Sequence, residues 1–203
     1  HYPPTQEHTS VKSDNPCESV IQTPPGFKRT EVGVIPKDWR VQKLGDCLSS
    51  APNYGINAPA LPYTDTLPVY IRITDITPEG RFSQENITSV DGPNIEQYFL
   101  SVGDLVFART GASVGKSYLY SLDDGSLAFA GFLIRITPDP TKLDARYLSA
   151  YVTTNRYWKW VTVMSPRTGQ PGINGTEYAQ LPIPLPPLPE QRAIATVLSD
   201  VDA

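Results

Sequence analysis

The chain has 203 residues, enough for one domain with an appendage. A hydrophobic share of 39% supports a core, while a charged share of 19% is too low for a coiled-coil rod or a disordered acidic chain. A net charge of −4 argues against an indiscriminate nucleic-acid binder and is compatible with a specific anionic partner met through local basic windows. Two cysteines, Cys17 and Cys47, and two histidines near the N-terminus make no metal-ligand cluster and no disulfide framework, and whether the cysteines pair stays open. No apolar run approaches membrane-spanning length and none resembles a signal segment, so a soluble, cytoplasmic chain is expected.

Residues 1–26 are polar and proline-rich and read as a flexible tail. In "VGVIPKDWRVQKLGDCLS", the spacing of Val41, Leu44, Cys47 and Leu48 predicts a turn into a short helix. Residues 50–68 carry Pro52, Pro59, Pro62 and Pro68 and read as loop. "VYIRITDI" alternates, with Val69, Ile71 and Ile73 on one face and Tyr70, Arg72 and Thr74 on the other, which predicts a strand. "YFLSVGDLVFAR", "SYLYSL" and "SLAFAGFLIRITP" add further strands between turn signals at Gly103-Asp104, Gly111 and Asp123-Asp124-Gly125. "DARYLSAYVTTNRYWKWV" switches to helical spacing, with Asp144 as N-cap and Tyr147, Tyr151, Trp158 and Trp160 expected in the core. "SPRTGQPGINGTEY" is a loop. "LPIPLPPLP", with five prolines in nine residues, is expected to be extended and stiff, neither helix nor central strand. "PEQRAIATVLSDVDA" then starts a helix: Pro189 suits the first turn, Glu190 the positive end of the dipole, and Ile194, Val197, Leu198 and Val201 form an apolar stripe. That stripe is still running at the last residue and calls for a partner helix.

One stretch, Arg109 to Tyr118, reads "RTGASVGKSY" and comes close to a nucleotide-binding phosphate loop. Such a loop needs four residues between its glycine and the Gly-Lys-Ser that follows, so that successive N–H groups curl round the phosphates. Here only Ala112, Ser113 and Val114 separate Gly111 from Gly115, and the tyrosine-rich segment after Lys116 reads as a strand rather than a helix. Strand, glycine-rich turn, strand is the better reading, with Gly111, Gly115 and Gly169 expected as turn formers of positive φ. The window 105–122 carries Arg109 and Lys116 and no acid. The window 145–176 carries Arg146, Arg156, Lys159 and Arg167 and no acid.

Four segments in order resemble the specificity subunits of type I restriction–modification systems. "GVIPKDWRVQKLGD" is similar to the entry into their target-recognition domain, and "GDLVFARTGASVGKSYLY" to its central signature. "GQPGINGTEYAQLPIP" resembles its closing turn, and "LPIPLPPLPEQRAIATVLSDVDA" its junction with a conserved spacer helix. The resemblance runs from about Thr30 to Ala203. It implies an α+β fold: a β-rich target-recognition domain with a few short helices over 27–188, then the start of a spacer helix over 189–203. It also implies one half of a two-domain subunit, or a short form that pairs with itself. Such a subunit reads a split site in double-stranded DNA and catalyses nothing. S-adenosylmethionine, ATP and Mg belong to the partner methyltransferase and restriction subunits.

Under that reading, base and phosphate contacts fall to long or polar side chains on loops and strand ends near the basic windows. Arg109, Thr110, Ser113 and Lys116 are the candidates on the glycine-rich turn, with Arg109 suited to guanine and Lys116 to a phosphate. Arg167, Thr168, Gln170 and Asn174 are the candidates on the Gly/Pro loop, where Gln and Asn suit adenine. Arg72 and Thr74 have weaker claims, and Tyr54 and Asn57 weaker still. Arg109 and Lys116 are expected to face one groove. No constellation for catalysis or metal binding is present in the sequence. The alternative from another class is a β-rich module that binds protein or carbohydrate and has no role on DNA.

Overall fold

Proline and glycine cut the chain into short pieces, and the computed structural model, which describes residues 23–201, keeps them short. The tail expected over 1–26 falls almost wholly outside those residues, as does Cys17. In chain order the elements are β1 (Phe27–Thr30), β2 (Gly33–Pro36), β3 (Arg40–Lys43), β4 (Asn53–Tyr54), β5 (Leu61–Pro62), β6 (Val69–Ile71) and β7 (Thr88–Ser89). There follow β8 (Leu105–Ala108), β9 (Ser117–Leu119), β10 (Leu127–Phe129), β11 (Leu133–Ile136), α1 (Ala145–Tyr151), α2 (Asn155–Met164), α3 (Gly175–Tyr178), β12 (Pro182–Leu185) and α4 (Leu188–Val201). This is the expected α+β, strand-rich class.

Two four-stranded sheets carry the core, in the orders β4-β11-β8-β9 and β10-β6-β7-β5. All four residues of β8 are buried, because both of its faces are covered. Leu105 and Phe107 point to a core shared with α1, α2 and α3, where Tyr157 and Tyr178 are wholly buried. Val106 and Ala108 point the other way, onto Leu127 and Phe129 of the second sheet. The period of two in "LVFA" thus places one strand between two apolar layers. "SLAFAGFLIRITP" spans both sheets: β10 pairs with β6, the chain bends at Ala130–Phe132, and β11 pairs with β8.

Several expectations change here. The strand through Ile76 stops at Ile71, and Ile73–Asp75 is a 3-10 turn. Asp75, 6% exposed, takes the backbone N–H of Arg72 and both arms of its guanidinium, so local hydrogen bonding overrides the alternation. Residues 50–68 hold the two-residue strands β4 and β5, and the short helix at 44–47 is a 3-10 turn. The helix over 144–161 is two helices. Asp144 caps the first as expected, and Thr154, accepting from the N–H of Tyr157, starts the second.

The proline-rich run is a strand, β12, in a two-stranded ribbon with β3, so no central strand is required of it. Proline has no N–H for the ladder, and the Pro182 and Pro184 carbonyls find donors elsewhere. Tyr151 and Tyr147, one turn apart on α1, donate their hydroxyls to them at 2.9 and 2.7 Å.

Candidate nucleic-acid interface

The glycine-rich stretch is a turn pinned from behind. Gly111–Ser113 forms one 3-10 turn, Gly111 and Gly115 have φ of +71° and +90°, and β9 begins at Ser117 where a nucleotide loop would begin a helix. Helix α2 lies against the turn so closely that a Cβ on Gly115 would meet Val161 at 2.8 Å and Trp158 at 3.0 Å. Tyr157 donates its hydroxyl to the Gly115 carbonyl at 2.6 Å, and Tyr178 donates to the Ala108 carbonyl at 3.1 Å. Burial pushes both phenols well above their ordinary value, so they stay neutral donors. Both glycines answer to backbone shape and close packing, not to a phosphate.

The same turn is laced to the Gly/Pro loop some sixty residues on. Gly111 N–H and the Thr110 hydroxyl donate to the Pro171 carbonyl at 2.9 and 3.3 Å, and Ile173 N–H donates to the Arg109 carbonyl at 2.9 Å. Gln170 lies directly over Gly111: its amide nitrogen is 2.9 Å from where a Cβ on that glycine would stand. Arg109 has no carboxylate partner among the described residues. Its guanidinium carbon instead sits 4.9 Å from the ring centre of Tyr54 and 5.9 Å from that of Phe132. Tyr54 is anchored in turn, its hydroxyl accepting from Gly175 N–H at 3.1 Å. A cation held on two aromatic faces keeps its edge donors free for a third partner. Phe132 is 55% exposed and also walls a groove of about 310 Å³ with Asn57, Arg72 and Thr74.

Thus Arg109, Thr110 and Gln170 meet at one end of the β8–β11 sheet, and Tyr54, Asn57, Arg72 and Thr74 lie along the same edge through Phe132. Other candidates are occupied. Arg167 clasps both oxygens of Glu177 at 2.6 Å and donates to the carbonyls of Met164 and Pro166. Asn174 is the N-cap of α3 in a reciprocal capping box with Glu177. Both hold the loop's shape. Arg72 is forked onto Asp75, and the Thr74 hydroxyl donates to the same carboxylate. Thr168 and Gln170 are exposed, while Ser113 is half-buried inside the turn.

The expectation that Arg109 and Lys116 share a groove is corrected. Lys116 lines a separate groove of about 460 Å³ with Glu79, Arg81, Ser149, Thr153 and Trp158, and Arg109 is not among its walls. In the hairpin, Lys116 is hydrogen-bonded opposite Ala108, and Arg109 is the next residue along, where strand alternation turns the side chain the other way. Trp158 is also corrected: it is 38% exposed beside that groove, whereas Tyr147 and Tyr151 are buried as expected and Trp160 stacks on Tyr157. Gly169 does not take a positive φ.

Three residues escape the sequence reading. Phe132 hides inside an apolar run that looks like core. Glu177 lies just past the basic window that it closes. Gln191 is 1% exposed on α4, on the flank of the stripe. The stripe itself divides: Ile194 packs on the core with buried Ala195, while Val197 and Leu198 are 63% and 44% exposed. The side chain of Val201 lies outside the described residues.

The family model for the type I restriction modification DNA specificity domain matches residues 36–203. The chain belongs to that family. Among its relatives is the putative type I restriction enzyme MjaX specificity subunit of Methanocaldococcus jannaschii, 30% identical over 187 residues that cover 87% of this chain and 42% of that protein. The type I restriction enzyme EcoDI specificity subunit of Escherichia coli is 25% identical over 174 residues, 83% of this chain and 36% of that protein. The specificity domain described here therefore spans less than half the length of these curated relatives. Its fold matches the HsdS subunit from Thermoanaerobacter tengcongensis with a TM-score of 0.60 at 17% identity, over 82% of this chain and 43% of that one. It also matches the S subunit of the type I system from M. genitalium with a TM-score of 0.53 at 16% identity, over 81% and 39%. The alternative of a protein- or carbohydrate-binding module gains no support from these relatives.

Proposed function

We propose that this specificity domain reads one half of a split site in double-stranded DNA and performs no chemistry itself. In an assembly it directs methyltransferase and restriction subunits to that site, and those partners hold S-adenosylmethionine, ATP and Mg. The other half-site falls to a second recognition domain or to a second copy joined through the exposed face of α4. The observation that carries the reading is Arg109, a cation without an acid partner among the described residues, seated on Tyr54 and Phe132 between the glycine-rich turn and Gln170. A guanidinium with fixed direction and free donors suits bidentate contact with a guanine edge, and an exposed carboxamide beside it suits adenine. Thr110, Thr168, Asn57 and Thr74 supply shorter polar contacts along the same edge, and Lys116 supplies a phosphate contact from the flank. Arg167, Asn174, Arg72 and Ser113 act through the shape of their loops.

The test is selection from a randomised duplex library by the chain, followed by anisotropy titration on the duplexes recovered. A short shared motif is expected. Arg109→Ala is expected to weaken binding to the best duplex by about 1–3 kcal/mol and to relax preference at one guanine. Recovery of unrelated duplexes with equal affinity would end the specificity reading.

A further inference from the structure

Helix α4 leaves the domain through a polar joint buried in an apolar setting. Gln191, in the first turn, is 1% exposed. Its side-chain oxygen accepts from Asp144 N–H at 2.9 Å, and its amide nitrogen donates to the carbonyls of Lys142 at 3.0 Å and Pro186 at 2.9 Å. One side chain therefore ties two segments to α4: the turn before α1, through Lys142 and the cap Asp144, and the end of the proline-rich run, through Pro186. Those segments are themselves immobilised, since Tyr147 and Tyr151 hold Pro184 and Pro182. Ala195, one turn on, is 1% exposed. Ile194 and Ala195 pack on the core beside α1, while Val197 and Leu198 are largely uncovered, so the direction of α4 is set by this short packed stretch and the joint at its root.

Direction matters because of leverage. A tilt of about 7° at the root of a helix roughly 30 Å long moves its far end by about 3.5 Å, close to one base-pair step. We propose that Gln191 is a positioning residue that fixes the spacing of the split site and not its sequence. The proposal rests on the reading above, in which α4 continues as a spacer to a second recognition domain. A buried carboxamide does this better than an apolar residue of equal size, because each of its three hydrogen bonds has one correct geometry and leaves a buried group unpaired when broken.

The first measurement needs no DNA. Spin labels at the exposed positions Val163 on α2 and Val197 on α4 report the distance between them in the full chain. The wild type is expected to give one narrow distribution and Gln191→Leu a broadened one, while affinity for a single half-site duplex stays unchanged. Gln191→Glu keeps the acceptor for Asp144 N–H but turns a carboxylate oxygen onto the Lys142 and Pro186 carbonyls, so it is expected to broaden the distribution at least as much. Gln191→Met, close in size and without an amide donor, is expected to broaden it as leucine does and carries the measurement if the leucine variant does not fold. Unchanged widths in the folded variant overturn the joint. The second measurement uses the assembled complex and duplexes with two half-sites at varied separation. Gln191→Leu is expected to lose about tenfold of the discrimination against a spacer one base pair too long, some 1.4 kcal/mol. A variant that keeps the wild-type spacing preference refutes the proposal. A wild type that tolerates every spacing instead overturns the DNA reading beneath it, an outcome the first measurement keeps separate from failure of the joint.

Discussion

Arg109 and Gly115 sit on the same hairpin turn, and opposite physics decides each. Gly115 is constrained by φ and by contact at once, so Gly115→Ala is expected to cost about 1–3 kcal/mol of stability in urea unfolding. Gly111 is less enclosed, its near neighbour being the end of the Gln170 side chain. Arg109 is held by two aromatic faces and by no carboxylate among the described residues, and a cation so placed is more informative than the several that are paired. The Arg167–Glu177 clasp is the internal control. Glu177→Gln weakens the charge-assisted fork and the capping box together. It is expected to lower the thermal midpoint and to reduce affinity alike for every duplex, whereas Arg109→Ala changes the preferred base. Comparing the two variants across a panel of single-base changes separates a residue that reads from one that shapes.

At the scale of elements, tyrosine hydroxyls do what the ladders cannot. Proline in β12 and the glycine-rich turn leave carbonyls outside regular pairing, and Tyr147, Tyr151 and Tyr157 donate to three of them, while Tyr178 adds a second donor to the Ala108 carbonyl, which already accepts from Gly115 N–H. Tyr147→Phe or Tyr151→Phe removes the donor from a carbonyl in the ribbon, at an expected cost of about 1–3 kcal/mol each. These donors also set a pH limit. Burial raises the Tyr151 phenol from an ordinary value of 10.0 to about 12, and burial lifts Tyr147 further. A folded-state value above the unfolded one means the stabilisation is complete below about pH 10 and is lost as pH climbs through 12. Cooperative unfolding in that window, followed by tyrosinate absorbance with circular dichroism, is expected to shift to higher pH in the Tyr147→Phe, Tyr151→Phe double variant relative to its own stability at neutral pH. Ionisation scattered over pH 10 without unfolding would contradict the buried hydroxyls.

Across the whole molecule, an acidic chain presents the Arg109 cation at one end of a sheet and sends α4 out from beside α1. The basic window over 145–176 is smaller than its sequence suggests, since Arg146 and Arg167 lie against carboxylates, and Arg72, outside both windows, is paired as well. Few phosphate contacts therefore remain, and the logarithm of affinity is expected to fall with the logarithm of salt at a shallow slope, near 0.9 for each phosphate contacted. Lys116→Ala is expected to reduce that slope by about one while leaving base preference in place. Titration of one preferred and one unrelated duplex over a range of salt measures both effects. A slope that does not change removes Lys116 from the interface.

Local rules determined much of this protein. The strand through "LVFA", the cap at Asp144, the stiff proline run and the wrong spacing for a phosphate loop were all legible, because each depends on neighbours a few residues away. The family signature placed the glycine-rich turn in a hairpin for the same reason. Distance decided the rest. No spacing rule puts Pro171 on Gly111, Tyr54 under Arg109 or Glu177 into the grip of Arg167, since those contacts join segments whose approach is set by packing of the two sheets and α2. Nor does composition reveal which arginines are already paired. A charge in the sequence is only a possibility of contact, and the tertiary fold settles its partner by bringing an acid, an aromatic face or open water to its side.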